Sequence, residues 1–187
     1  SELDKVFLPL GLTGRRYLTN GRQYHGTFRN YPFYVYFFRG PTLQIYLEVP
    51  LRTRLGIGRQ GAISDLAANI TNRQVLSLDD PDFEDFVIYP EDRQWAAELF
   101  ADPQARQIIL RLIAEDTAVE LRTLSITPNA LLWQSRYNPQ RNINADSAQA
   151  WFNDLCELAC IAQGLRAPSI IAEESDLERN TRTDRGK

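Results

Sequence analysis

Alternating apolar and polar residues in the first half of the chain predict β-strands. The clearest case begins at Leu43, where every second residue up to Val49 is apolar and the residues between are mostly polar. The segment Phe33–Arg39 is aromatic on both faces, which predicts a central strand that is covered on both sides. Arg22–Arg29 predicts a further strand. Short connections between these segments favour an antiparallel meander.

The next part of the chain carries weaker signals. Pro50 lacks the N–H that a strand ladder needs, so Arg52–Leu55 is predicted to be an edge strand or a bend. The segment Ala62–Ile70 fits a short helix or irregular structure. Gln74–Leu78 and Phe86–Tyr89 are predicted to be short strands.

Helical spacing dominates the second half. Pro90 is placed as the first residue of a helix that continues to Phe100, and Asp102-Pro103 predicts the start of another helix that ends near Ala114. A third helix is predicted from Ala145 to Gln163. Between them, Pro128-Asn129 predicts the turn of a β-hairpin.

This order of elements predicts the α+β fold class: an antiparallel β-meander sheet with a helix pair, a β-hairpin and a C-terminal helix packed on it. We expect a single domain over residues 1–172, with a β-rich part at 1–89 and a mixed part at 90–172. The remaining residues, 173–187, form a charged tail that we expect to be mobile on its own.

Charge is distributed unevenly along the chain. Residues 1–60 hold nine Lys or Arg against three acidic residues, a formal charge of +6, whereas the other 127 residues carry −9. The net charge of −3 disfavours a nucleic-acid partner. Since nearly all the basic residues of the first part are arginines, the planar groups suited to phosphate and carboxylate, we expect an anionic ligand or a protein as partner. The candidate binding residues are Arg15, Arg16, Arg22, Arg52, Arg54 and Arg59. The alternative is that these arginines neutralise the acidic half of the protein itself.

The segment Gly56–Gly61 matches the pattern G-x-G-x-x-G of dinucleotide-binding turns. That turn follows a buried parallel strand, whereas the preceding residues 50–55 include two arginines and a proline. We therefore favour a glycine-rich turn beside an edge strand and keep a nucleotide-dependent enzyme as the alternative.

No other motif points to catalysis, a metal or a cofactor. The acidic run Asp79–Asp85 has the spacing of a calcium loop, but Asp85 stands where such a loop requires glycine. The single histidine, His25, has no partner residue at the spacing of a catalytic triad or a zinc site. Cys156 and Cys160 are expected to be reduced packing residues on one helix, which suits a cytoplasmic location.

The chain also resembles a loosely defined group of uncharacterised bacterial proteins with the landmarks G-x-Y-x-G and D-P-x-F-x-x-F-x-V. The matching segments are Gly11-Leu12, Gly21–Gly26 and Asp80–Ile88. Because many members of that group place such a domain after membrane-spanning segments, the resemblance implies a membrane-proximal origin and a non-enzymatic role. The lack of any methionine favours a processed or excised chain, so membrane association would come through segments absent from it.

Together these observations predict a non-catalytic interaction module with an arginine- and aromatic-bearing surface. A third hypothesis is a structural domain that assembles with itself through Phe33–Arg39.

Overall fold

The computed structural model of this chain describes residues 1–17, 19, 21–38, 42–62, 70, 74–114, 121–136 and 143–182. These residues form one eight-stranded sheet in which neighbouring strands pair antiparallel. The strands are β1 (Leu12–Tyr17), β2 (Gly21–Phe28), β3 (Tyr31–Phe38), β4 (Thr42–Glu48), β5 (Leu55–Gly58), β6 (Val87–Pro90), β7 (Arg122–Thr127) and β8 (Ala130–Arg136). The helices are α1 (Glu2–Phe7), α2 (Arg93–Ala101), α3 (Pro103–Ile113), α4 (Ala145–Gly164) and α5 (Asp176–Arg182). The predicted α+β class is confirmed.

The strand order is β1-β2-β3-β4-β8-β7-β5-β6. Strands β2, β3 and β4 form the predicted meander, β1 adds a fourth strand at its edge, and the β7–β8 hairpin is inserted between β4 and β5. In the register of the sheet, Trp133 of β8 lies between Ile45 of β4 and Leu124 of β7. The two predicted parts of the chain, 1–89 and 90–172, therefore share one sheet.

Local sequence explains most element boundaries. Asp102 caps α3, because its carboxylate accepts hydrogen bonds from the N–H groups of Gln104 and Ala105. Asn144 caps α4 in the same way through the N–H of Ser147. Both helices begin where the sequence places them, and the hairpin turns at the predicted Pro128-Asn129.

Several predictions in the middle of the chain are wrong, wholly or in part, or lie outside the described residues. Pro90 ends β6 instead of starting a helix, and α2 begins at Arg93 after the cap Asp92. Residues 74–78 form no strand; Leu76 only donates one backbone hydrogen bond to Ile88. For Arg52–Leu55, predicted as an edge strand or a bend, the structure has a bend at Thr53 and then β5, which lies between two neighbouring strands. Of the predicted glycine turn Gly56–Gly61, only residues 60 and 61 are a turn, and residues 56–58 belong to β5. The short connection at Gly40-Pro41, between two predicted strands, and most of the segment Ala62–Ile70 fall outside the described residues.

Three elements have no counterpart in the sequence predictions: α1, β1 and α5. Helix α1 carries a capping box, in which Ser1 and Asp4 bond to each other's backbone N–H groups. Strand β1 extends the meander at its open edge by pairing with β2. Helix α5 lies within the segment that the sequence predicts to be a mobile tail.

One face of the sheet is buried under α1, α3 and α4, and we call it the helical face. Helix α3 packs on α4 and β7, and α1 packs on α4. Phe152 of α4 is fully buried and stacks on Phe33 of β3 at 4.3 Å between ring centres. Trp133 fixes α3 to β8, because its indole N–H donates to the carbonyl oxygen of Leu112 at 2.6 Å.

We expect Phe152→Ala to lower the free energy of unfolding by about 3–5 kcal/mol, since it removes a buried ring and leaves a cavity. Urea denaturation followed by circular dichroism measures this loss. Leu8→Ala is the matched control, because Leu8 is 48% exposed and should cost less than about 0.5 kcal/mol. Equal losses for the two variants would contradict the assigned core.

Candidate functional site

The six candidate arginines do not come together. Arg15, Arg16 and Arg22 lie on β1 and β2, whereas Arg54 and Arg59 flank β5 at the other side of the sheet. Six strand spacings of about 4.8 Å separate β1 from β5, which is roughly 29 Å. The arginines therefore form two groups with different surroundings.

In the first group, Arg22 has an internal partner. Its guanidinium forms an ion pair with Asp4 of α1 and lies 5.8 Å from the ring centre of Tyr24. Arg15 is exposed, and its Nε donates to the side-chain oxygen of Gln23 at 2.9 Å. Arg16 is also exposed, on the edge strand. This edge of the sheet keeps two accessible guanidinium groups.

In the second group, Arg54 holds the C-terminal part of the chain. Its Nη2 and Nε lie 2.7 and 3.1 Å from the two carboxylate oxygens of Glu178, and Nη2 also donates to the carbonyl oxygen of Glu173. The side chains of Arg54 and Glu178 are only 14% and 8% exposed. Arg54 is therefore engaged in an intramolecular ion pair.

The other two arginines contact the protein in different ways. Arg52 is exposed, has a left-handed backbone (φ 59°), and accepts a hydrogen bond from the N–H of Ala172 at its carbonyl oxygen. Arg59 lies 4.0 Å from the carboxylate of Asp85 and 5.2 Å from the ring centre of Phe86. Neither guanidinium lies near the β1 edge.

The sheet face opposite the helices, which we call the aromatic face, carries a row of large rings. Tyr36 and Tyr46 are buried and pack edge to face at 5.7 Å, and Tyr17 packs on Tyr36 at 5.3 Å. Tyr34 and Phe38 are half-buried on the same face. The alternation of β3 therefore divides its aromatic residues between the helical core and this second face.

Helix α5 and the residues before it lie across part of the aromatic face. The hydroxyl of Tyr36 donates to the carbonyl oxygen of Arg182 at 3.0 Å, and the amide of Asn129 donates to Glu174. The C-terminal segment, residues 172–182, is thus fixed at both ends to the sheet. These contacts hold residues 173–182 of the tail that the sequence predicts to be mobile on its own.

Arg182 and Glu174 form the second ion pair of this segment. Arg182 donates through Nε and Nη2 to the two oxygens of Glu174, at 2.8 and 3.1 Å. Its Nη1 lies 3.0 Å from Glu48 of β4, close enough for an ion pair but at an angle that makes no hydrogen bond. The side chains of Arg182 and Glu174 are 9% and 5% exposed.

These contacts shift the pKa values of both glutamates downward. For Glu174, the hydrogen bond from Arg182 is the main cause of the lowered pKa. For Glu178, burial alone raises the pKa, but hydrogen bonds from Arg54 and the N–H of Ser175 outweigh burial and leave the pKa below its ordinary value. Both carboxylates are therefore charged at neutral pH.

The sequence does contain a signal for α5. Ser175 and Glu178 have the S-x-x-E spacing of a capping box, and the structure shows both of its hydrogen bonds. The same carboxylate oxygen of Glu178 also accepts from Arg54. Sequence spacing could have found the helix start, whereas the pairing with Arg54, 124 residues away, could not be read from it.

The glycine motif lacks the surroundings of a dinucleotide site. Gly56 and Gly58 lie inside β5, which pairs antiparallel with both β6 and β7, whereas the motif needs a turn after a parallel strand. In the acidic run, Asp80 accepts a backbone hydrogen bond from Asp82 and pairs with Arg106. Within the described ranges, no three His, Cys, Asp or Glu side chains gather as metal ligands would.

The other candidate catalytic side chains, one histidine and two cysteines, do not form a common site. His25 is exposed on the aromatic face, next to Tyr34 of β3. Cys156 and Cys160 are free thiols, one buried and one exposed. Burial raises the pKa of the Cys156 thiol to about 11, which leaves it protonated and unreactive at neutral pH.

Across the described parts of the chain, no helix combines the length and apolar composition needed to cross a bilayer.

We expect a double-mutant cycle of Arg54→Gln and Glu178→Gln to give a coupling energy of about 1–3 kcal/mol for the docking of α5. The measurement is native-state hydrogen exchange at the amides of α5. Arg111 and Asp154 are the matched control, because Arg111 is 54% exposed and such a pair is worth less than about 1 kcal/mol. A coupling no larger than the control's would contradict the role of Arg54.

Docking of α5 should weaken in acid. Because Glu174 and Glu178 have lower pKa values when docked than when released, docked α5 binds fewer protons. This contribution is complete above the ordinary glutamate pKa of about 4.3 and is lost as the pH falls through the lowered values. We expect the amide NMR signals of α5 to move to unfolded positions before those of the sheet. Glu178→Gln should flatten this pH dependence, and simultaneous loss of all signals would contradict it.

No protein-family model and no curated protein matches this chain. Among solved structures, it is similar to the crystal structure of the mycobacterial trehalose monomycolate transport factor A, TtfA. The TM-score is 0.51 and the sequence identity is 10%, over 91% of this chain and 96% of that chain. At this identity the similarity shows a common fold that spans nearly the whole length of both chains.

Proposed function

We propose that this chain is a non-catalytic interaction module that binds an acidic segment of a protein partner on the aromatic face. The binding surface is the open part of that face, which we define by Arg15, Tyr17, Tyr34, Phe38 and Gln44. The likeness to a transport factor concerns the fold and adds no partner or cargo to this proposal.

The observation that carries the proposal is the docking of the chain's own C-terminal segment. The aromatic face holds a short, acidic piece of chain by an arginine–glutamate pair at Arg54 and a tyrosine hydroxyl bond to a backbone carbonyl at Arg182. Any acidic segment has the same binding groups: carboxylates that pair with arginine, and backbone carbonyls that accept hydrogen bonds. The protein therefore already uses this face for peptide binding within one chain.

The open part of the face offers the same kinds of group. An open groove of about 370 Å³ lies between the rings of Tyr17 and Phe38, the amide of Gln44, and the α5 residues Asn180 and Thr181. Arg15 shares the face with Tyr17, two residues along β1. Tyrosine, phenylalanine and arginine are enriched at the centres of protein interfaces. Its position beside Tyr17 makes Arg15 the favoured binding residue among the six candidate arginines. Arg16 follows it on the same edge strand.

The two alternatives have less support. Self-assembly through β3 cannot use backbone pairing, since β3 pairs with β2 and β4 along both edges. Only its side chains on the aromatic face remain for a second copy. A nucleotide-dependent enzyme would need a different arrangement around Gly56 and Gly58 than the antiparallel pairing observed.

The test is photo-crosslinking in the host cell, with a benzoylphenylalanine in place of Phe38. We expect one discrete adduct with a partner protein, because Phe38 lies in the open part of the face. The matched control carries the same group at Gln149, which is exposed on α4 away from the aromatic face. An adduct of equal yield at both positions, or none at Phe38, would contradict the proposal.

Charge reversal tests the acidic character of the partner. Arg15→Glu combined with Arg16→Glu should reduce the crosslink from Phe38 severalfold and make it less sensitive to salt, because rim charges govern association. Arg111→Glu, exposed on α3, is the control for reversal of a surface charge away from the aromatic face. Adducts that consist only of a second copy of this chain would instead support self-assembly.

A further inference from the structure

A second feature of the aromatic face is a cavity beneath α5, on the part of the face that the C-terminal segment covers. Its volume is about 150 Å³, the size that holds a benzene-sized molecule, and it is partly open to solvent. Its lining combines side chains of the sheet, among them Tyr46, Leu132 and Ser125, with Leu177 and Thr181 of α5. It adjoins the open groove at Tyr17 and Phe38, since Thr181 of α5 borders both.

The sheet register explains the floor of this cavity. Tyr46 of β4 pairs with Leu132 of β8, and Leu132 pairs with Ser125 of β7, so the three side chains form a row across neighbouring strands. All three are less than 9% exposed. Gly56 of β5 is next in the row and adds no side chain. A small residue beside large ones leaves space that the sheet itself does not fill.

Helix α5 does not fill the space either. Leu177 is the apolar residue of α5 that borders the cavity, yet it remains 69% exposed. A helix docked only for stability would bury its leucine in an adjacent apolar cavity. The ion pairs of Arg54 and Arg182 instead hold α5 at the rim and keep the cavity open beneath it.

The polar groups of the cavity select for a neutral molecule. Ser125 is 5% exposed and lines the cavity, so its side chain brings a hydroxyl, which can donate or accept a hydrogen bond, to a mostly apolar wall. Burial raises the pKa of the Tyr46 hydroxyl, so it stays neutral. The guanidinium groups of Arg54 and Arg182 at the rim are each paired with a glutamate. An anion would have to displace those carboxylates and lose its own hydration.

We infer that this cavity is a binding site for a neutral, ring-sized molecule that carries one hydroxyl or similar hydrogen-bonding group. The ring occupies the space between Leu132 and Leu177, and the polar group bonds to Ser125. This site lies beside the proposed partner surface but takes a different class of ligand, so either proposal can fail without the other.

The experiment uses phenol, toluene and benzoate as probes of the full chain, followed by methyl NMR of Leu55, Leu132 and Leu177. We expect saturable shifts with phenol at a dissociation constant of about 1 mM or lower, within reach of a ligand of this size. Ser125→Ala should weaken phenol about threefold to tenfold and leave toluene unchanged, because only phenol loses a hydrogen bond. Benzoate should bind at least about tenfold more weakly than phenol.

Cavity-filling variants complete the test. Ser125→Leu, and independently Leu132→Phe in case the first disturbs the fold, should abolish the shifts from both neutral probes. Thr13→Leu is the control, since Thr13 lies on the same face at the opposite edge of the sheet. The proposal is overturned by an absence of saturable shifts up to roughly 10 mM, ten times the expected constant, or by binding that persists in both filled variants. Preferential binding of benzoate would also overturn it.

Discussion

The pairing of the β7–β8 hairpin with β4 on one side and β5 on the other is the interaction on which the rest of this structure depends. Without it, the meander β1–β4 and the pair β5–β6 would be separate small sheets. The hairpin also brings Trp133 into the helical core and Leu132 onto the aromatic face. A single register therefore fixes both the core and the floor of the cavity, because side chains alternate strictly between the two faces of a strand.

The two faces of the sheet are covered by different forces. On the helical face, α3 and α4 bury apolar side chains such as Ile108, Leu155 and Phe152. On the aromatic face, a seven-residue helix is held chiefly by ion pairs and hydrogen bonds. A helix this short is unstable by itself, so its order depends on those contacts. We therefore expect α5 to open at a lower free-energy cost than the sheet beneath it.

The arginines of the first sixty residues fall into two kinds, those paired with acidic groups of the protein and those exposed to solvent. Arg22 and Arg54 neutralise acidic groups of the protein itself, Asp4 and Glu178. Arg15 and Arg16 are exposed on β1, at the same edge of the sheet as Arg22 and far from Arg54. The arginines thus serve folding at both sides of the sheet, and on our proposal they also serve partner binding at the β1 edge.

The sequence by itself determined the elements whose signals are local. The alternation from Leu43, the Asp102-Pro103 cap and the turn at Pro128-Asn129 each act within a few residues, and β4, α3 and the hairpin follow them. Predictions from local signals were wrong where one residue suits two kinds of element. Pro90 ends strand β6, although proline also suits the first turn of a helix. The S-x-x-E spacing of Ser175 and Glu178 is also a local signal, and it indicates the start of α5.

Only the tertiary structure decided where these elements meet. Insertion of the hairpin between β4 and β5 joins residues about ninety positions apart, such as Gln44 and Gln134. The ion pair of Arg54 and Glu178 spans 124 positions, and the cavity exists only between their two elements. Contacts at such separation depend on strand order and register, which alternation along a single strand leaves undetermined.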